Sequence, residues 1–246
     1  MLMSRIVLAR RLGALALVAF GAACSRSDAT PAKDQMAASG GDVSAAPAAA
    51  TSGGGGMASK LTDSTSMRAD RGRIRGADSA RVWVVEVSDF QCPYCKQWHD
   101  QTYEALDREY VQTGKVKLAY LNYPIASLHP NAHAASEAAM CASVQGKFWP
   151  LHTSLFTTQP KWAALKDPAP FFDSLAVAAG ANAPAFRSCM STHATVKLIE
   201  ADMERSKSAG VQSTPTFFIG DSKILGAYPL DTFRLKINEA LARAKR

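Results

Sequence analysis

The spacing of apolar residues changes several times along the chain, and each change marks an element. From Val82 to Val87, β-branched and aromatic residues run with a single charge, Glu86, among them. That pattern predicts a strand buried on both faces. Ser88-Asp89-Phe90-Gln91 breaks the run as a turn. A helical stretch then begins at Cys92 and reaches about Gln112, with Pro93 at its first position, where a missing amide is tolerated. Val116 to Tyr123 predicts a second strand, and Arg73-Ile74-Arg75 a short edge strand. Residues 130–209 carry helical patterns, including an Ala-rich segment over 132–146 and another near 184–192. Thr216 to Ile219 resumes a strand. A last amphipathic helix aligns Leu230, Phe233, Ile237 and Leu241 on one face. Phe148, Trp149, Leu151 and Phe156 read as core, and Trp98 as either core or rim. The class is α/β, with the folded part at about residues 70–246.

The amino-terminal residues have a different character. Arg5, Arg10 and Arg11 precede the uncharged, Ala/Leu-rich run Leu12 to Phe20, followed by small residues Gly21-Ala22-Ala23 and then Cys24. This order reads as an export signal over 1–24. The apolar run is shorter than the ~20 residues of a spanning helix. Small residues directly before Cys24 resemble the lipobox of bacterial lipoproteins, in which the cysteine is lipidated, although Gly21 stands where that family has Leu. The alternative is ordinary signal cleavage nearby. Residues 25–69 are poor in large apolar side chains and include Gly53-Gly54-Gly55-Gly56. They predict a flexible tether that buries too little surface to offset chain entropy.

Overall composition, 47% hydrophobic and 20% charged, fits a globular protein. The formal net charge of +7 suggests nucleic-acid affinity only until its location is considered. Three of the bases stand in the leader, and Arg243, Lys245 and Arg246 close the chain. Elsewhere no basic run forms the concentrated face such binding needs, so nucleic acid is not an expected partner.

Of five cysteines, two form Cys92-Pro93-Tyr94-Cys95. The strand–turn–helix context makes this spacing informative. At a helix start, unpaired amides and the helix dipole stabilise a thiolate, lowering the pKa of Cys92. Cys95, one turn on, is placed to attack a mixed disulfide from inside. The competing reading is half of a zinc or copper site. Four-ligand sites usually bring a second paired motif, and none is present; His99, the one nearby candidate, reads as a helix-surface residue.

The segment Glu86-Val87-Ser88-Asp89-Phe90-Gln91-Cys92-Pro93-Tyr94-Cys95-Lys96 resembles the active-site segment of DsbA-like thioredoxin-fold oxidoreductases. Leu128-His129-Pro130-Asn131-Ala132, Gln145-Gly146-Lys147-Phe148-Trp149 and Ser213-Thr214-Pro215-Thr216-Phe217-Phe218 follow in matching order. The resemblance implies a thioredoxin fold with a helical insertion at about 125–210 between the two halves of the sheet. It carries a cis proline onto Pro215, facing the cysteines. It places Thr214, Pro215, Pro93 and Tyr94 against a substrate polypeptide, with the Thr214 backbone offering hydrogen bonds as in strand addition. A plain trans turn is the alternative at Pro215. Glu86, six residues before Cys92, matches the buried acid beneath the cysteine pair and would exchange a proton with Cys95; a solvent-facing glutamate is the alternative. Cys141 and Cys189, both inside the insertion, are the natural disulfide partners in an oxidising compartment, and some relatives have a bridge there. Two buried free thiols are the alternative. His129, His133, His152 and His193 need no role beyond packing or solvation.

These readings converge on thiol–disulfide exchange with exported polypeptides, the oxidase direction preferred, by a monomer needing no cofactor and no metal. A membrane redox partner would recycle it, and a lipid anchor on Cys24 would hold it at the periplasmic or cell-envelope surface. Reductase or isomerase action, or a non-enzymatic lipoprotein binding module, are the alternatives.

Overall fold

A computed structural model describes the backbone of residues 55–244 and side chains from Ser64 onward. The export signal, Cys24 and the first part of the tether lie outside the described residues.

The element order begins with α1 (Gly55–Gly72), β1 (Ile74–Arg75), β2 (Val82–Ser88) and α2 (Pro93–Trp98). The helix of α2 runs on through a π-helical turn, His99–Tyr103, an α-turn at Glu104–Leu106 and a second π-helical turn, Asp107–Val111. Next come β3 (Val116–Asn122), α3 (Ala132–Ser143), α4 (Phe148–Thr157), α5 (Gln159–Trp162), α6 (Ala169–Ala178), α7 (Ala183–Ser191) and α8 (Val196–Ser208). Strands β4 (Thr216–Ile219) and β5 (Ser222–Leu225) and helix α9 (Leu230–Ala244) complete the fold. α1 corrects the sequence reading: residues 55–69, expected in the tether, are helical. Ala69 shows why, because it is fully buried against the insertion and its carbonyl accepts from the Ser143 hydroxyl at 2.6 Å.

The five-stranded sheet has the order β1-β3-β2-β4-β5. β2 and β3 are parallel, while the other neighbours are antiparallel. β2 therefore lies in the middle, as its continuous apolar run requires. Glu86 pairs in register with Tyr120 on one side and Phe217 on the other. One apolar core gathers Val84, Trp98, Leu118, Phe217, Phe233 and Ile237. The second joins Phe90 and Tyr120 to the insertion through Met140, Phe148, Leu151 and Phe156. Trp98 belongs to the core, with 1% exposure. Each such large side chain contributes roughly 1.5–3 kcal/mol by leaving water.

A buried ion pair ties the sheet to α8. Arg73, beside β1, donates to the Asp202 carboxylate, which also accepts from the Asn122 amide at 3.1 Å and the Asn122 side chain at 3.0 Å. Cys141 in α3 is bonded to Cys189 in α7, with Cα atoms 5.7 Å apart, so the insertion is stapled to itself. No helix among the described residues is long and apolar enough to cross a membrane.

Candidate active site

Cys92 caps the start of α2, in extended backbone conformation, with Pro93 at the first helical turn. Its amide donates to the Asp89 carbonyl at 3.1 Å, closing the strand-to-helix turn. Its carbonyl accepts from Lys96 N at 3.1 Å and from the Gln159 side chain, also at 3.1 Å. The sulfur faces the second half of the sheet, and in the thiol form Sγ donates to the Thr214 carbonyl at 3.5 Å. Thr214-Pro215 is a cis peptide. Tyr94 projects outward, 63% exposed.

The two thiols are chemically unequal. Hydrogen bonding from Cys95 is the main reason the Cys92 pKa falls to about 6. Burial opposes this, and hydrogen bonds from Thr214 and the Cys95 and Tyr94 amides assist it. Cys95 is fully buried, and desolvation pushes its thiol well above the ordinary range. Its sulfur accepts from the Asp89 amide at 3.5 Å. Of the pair, then, Cys92 carries the more acidic thiol and Cys95 stays protonated at neutral pH.

Glu86 lies on the buried floor and has no exposed surface. Burial raises its pKa to about 8, against a small lowering by Ser88. Neither carboxylate oxygen has a hydrogen-bond partner within normal distance, and the hydroxyls of Ser88 and Tyr120 beside it are likewise unpartnered. The solvent-facing alternative for Glu86 is thereby excluded. Such a carboxyl is neutral over much of the physiological range and can hold or release a proton.

Sequence reasoning missed several residues that build this site. Asp89 is fully buried; its carboxylate accepts from Gln91 N and Ile125 N, each at 2.8 Å, and lies 2.7 Å from His129 Nδ1. The turn before Cys92 is thus locked to the segment after β3. The motif around His129 was the available signal. Gln159 fastens the same turn by donating to the carbonyls of Phe90 and Cys92. His99 corrects the surface reading: it is 7% exposed and stacks on Tyr103 and Phe156. His152 is fully buried among aromatic rings. Among the described residues no group of three or more His, Cys, Asp or Glu side chains is placed to hold a metal ion.

Known proteins resemble this chain to different extents. A thioredoxin family model matches residues 68–239. The Na(+)/H(+) antiporter NhaA 3 of Salinispora tropica is 31% identical over 176 residues, covering 72% of this chain but 26% of that protein. The chain thus spans about a quarter of the length of the antiporter relatives it matches. Disulfide bond formation protein D of Bacillus subtilis is 22% identical over 172 residues, covering 68% of this chain and 76% of that one. Among solved structures, BdbD of Bacillus subtilis superposes with a TM-score of 0.64 at 22% identity, over 70% of this chain and 94% of that one. Wolbachia pipientis α-DsbA1 gives 0.62 at 20%, over 70% and 92%. The chain belongs to the thioredoxin family, and its fold is the DsbA-like form with a helical insertion.

Proposed function

We propose that this protein is a thiol–disulfide oxidoreductase acting on exported polypeptides, with the oxidase direction favoured. The observation that carries the reading is the unequal pair at the helix start, one acidic thiol facing the carbonyl before a cis proline and one buried thiol behind it. In the oxidised protein a substrate thiolate attacks Cys92 Sγ, the Cys92–Cys95 bond breaks, and Cys95 leaves with the electron pair. A second substrate thiolate then attacks the substrate sulfur of the mixed disulfide, a substrate disulfide forms, and Cys92 leaves as a stabilised thiolate. Pro93, Tyr94, Thr214 and Pro215 form the contact surface, with the Thr214 backbone pairing to an extended peptide.

The direction rests on the stability of the Cys92 thiolate, because a good leaving group favours reduction of the enzyme by its substrate. Tyr94 adds no positive charge beside the nucleophile. The protein works as a monomer, tethered through Cys24 at the cell envelope and recycled by a membrane redox partner. A relative named for disulfide bond formation supports disulfide formation as the reaction. Refolding of a reduced, disulfide-containing protein tests the activity: wild type accelerates it and Cys92→Ser does not. The potential of the Cys92/Cys95 pair tests the direction, since a value at or below the thioredoxin range of about −270 mV would make this a reductase. Fractionation of wild type and Cys24→Ala tests the anchor. Wild type partitions with membranes, the variant is released, and a soluble wild-type protein without an acyl mass would refute the tether.

A further inference from the structure

Between the active-site floor and an outer cleft lies a column of buried polar groups that the exchange chemistry above leaves unused. Glu86 and Tyr120 are register partners on neighbouring strands, so their side chains leave the sheet on the same face. Next to Tyr120 stands His152 of α4, its ring centroid 5.4 Å away. His152 is in turn 5.1 Å from Tyr103 and 5.5 Å from His99, both on the π-helical turn after α2. His99 and Tyr103 line a cavity of about 460 Å³ that also touches Arg75 and Asp100. Arg75 donates to the Tyr103 hydroxyl at 2.9 Å, and Asp100 approaches His99 Nδ1 at 3.2 Å.

Along this line, both Glu86 oxygens, the Tyr120 hydroxyl, both His152 nitrogens and His99 Nε2 are buried with no partner within normal hydrogen-bond distance, although the Ser88 hydroxyl stands beside Glu86 and Tyr120. Native interiors seldom leave such groups unmet. A buried water typically makes about three hydrogen bonds to groups of this kind. Burial holds His152 neutral, with His99 and Arg75 reinforcing this, so its imidazole can both accept and give a proton. The remaining lining of His152, Phe90, Phe148, Trp149 and Phe156, brings no charge.

We propose that Tyr120, His152, and the His99/Tyr103 pair, bridged by internal water, form the proton path between Glu86 and the cleft at Arg75 and Asp100. The path rests on the oxidoreductase reading. When a substrate thiolate opens the Cys92–Cys95 bond, the departing Cys95 thiolate takes a proton from the Glu86 carboxyl, leaving a carboxylate. The column then returns a proton from solvent to Glu86, with no change in the number of electrons. In the reverse reaction the Cys95 proton leaves by the same route. The outward mouth is thus separate from the Cys92 face, so a bound substrate covering the cysteines does not block proton exchange.

The test is single-turnover reduction of the oxidised protein by dithiothreitol, followed by tryptophan fluorescence in light and heavy water from acid to mildly alkaline pH. His152→Phe and Tyr120→Phe should each slow the reaction by roughly ten-fold or more. Each should also raise the solvent isotope effect, because proton delivery becomes limiting, while the equilibrium potential of the cysteine pair stays at the wild-type value. His152→Gln, which keeps a donor and an acceptor but cannot pass on a proton, should stay as slow as His152→Phe, and recovery of the rate would show a packing or hydrogen-bonding role instead. Tyr120→Phe removes one oxygen and decides the matter should His152→Phe fail to fold. Wild-type rates and isotope effects in the variants, in an otherwise active protein, would overturn the path alone. A wild-type protein that exchanges no disulfide would instead overturn the oxidoreductase reading beneath it.

Discussion

Cys92 and Cys95 stand three residues apart, yet they differ in acidity because hydrogen bonds from Cys95 and nearby amides favour the thiolate of Cys92, itself only 4% exposed, while full burial disfavours that of Cys95. With Cys92 at about 6 and Cys95 pushed far upward, mildly acidic alkylation of the reduced protein should label Cys92 almost exclusively. Peptide mapping checks this, and first labelling at Cys95 would reverse the assigned roles. Glu86 makes a second residue-scale prediction. Its pKa is raised from 4.5 to about 8 by burial, so between those values the native state binds more protons than the unfolded chain. Its stabilising influence is complete below pH 4.5 and is lost as pH rises through about 8. At neutral pH the penalty is of the order of 3 kcal/mol. Glu86→Gln should therefore match wild type in denaturant melts at low pH and exceed it increasingly toward pH 8. A variant less stable than wild type at pH 8 would mean the carboxylate is solvated or paired. Glu86 was legible as a lone charge in an apolar strand. Its unpartnered oxygens were not, since they depend on what β3 and the insertion place around it.

At the scale of elements, the strands at Val82–Ser88, Val116–Asn122 and Thr216–Ile219 follow the apolar runs in the sequence closely. So does α9, where Phe233 and Ile237 are buried and Leu230 and Leu241 pack at the margin. The edge strand β5 escaped notice because its side chains are largely exposed and its pattern is weak. His99 was misjudged although it stands four residues after the buried Cys95, on the same helix face. α4 then covers the face that His99 occupies, a tertiary contact outside local periodicity. The Cys141–Cys189 bridge spans 48 residues, and closing a loop of that length is worth roughly 4 kcal/mol through the unfolded chain. Cys141→Ala with Cys189→Ala should lower the denaturation midpoint while Cys92 keeps its alkylation rate; lost reactivity at Cys92 would show that the insertion shapes the site itself. Removing Asp202 should be comparably harmful. Asp202→Ala leaves Arg73 buried with only Asp70 as counter-ion, and breaking such a pair costs about 3–5 kcal/mol. An unchanged midpoint would show Arg73 to be hydrated in solution.

On the scale of the whole molecule, the cysteine pair sits where the two halves of the sheet meet. β2 and α2 supply the thiols, and the loop before β4 supplies the Thr214 carbonyl from more than a hundred residues away. That meeting point could be inferred from the order of the motifs, but its closure by Asp89, His129 and Gln159 needed the structure. The same closure makes the reduction potential a property of the assembled fold, and its pH dependence can be worked out. Reducing the disulfide takes up two electrons and, while both cysteines are thiols, two protons. A two-electron couple changes by about 30 mV per tenfold change in equilibrium constant, so the potential should fall by about 59 mV per pH unit there. Once Cys92 remains a thiolate, above about pH 6, only one proton accompanies the electrons and the slope should halve to about 30 mV per unit. Glu86 is not among the groups that lower Cys92, whose first support is Cys95. Glu86→Gln should therefore keep the break near pH 6, even though it slows proton transfer to Cys95. Equilibration with glutathione or dithiothreitol buffers across this range gives the slopes directly. An undiminished slope through neutral pH would mean that Cys92 stays protonated in the folded protein, and the Thr214 carbonyl would then face a thiol rather than a leaving thiolate.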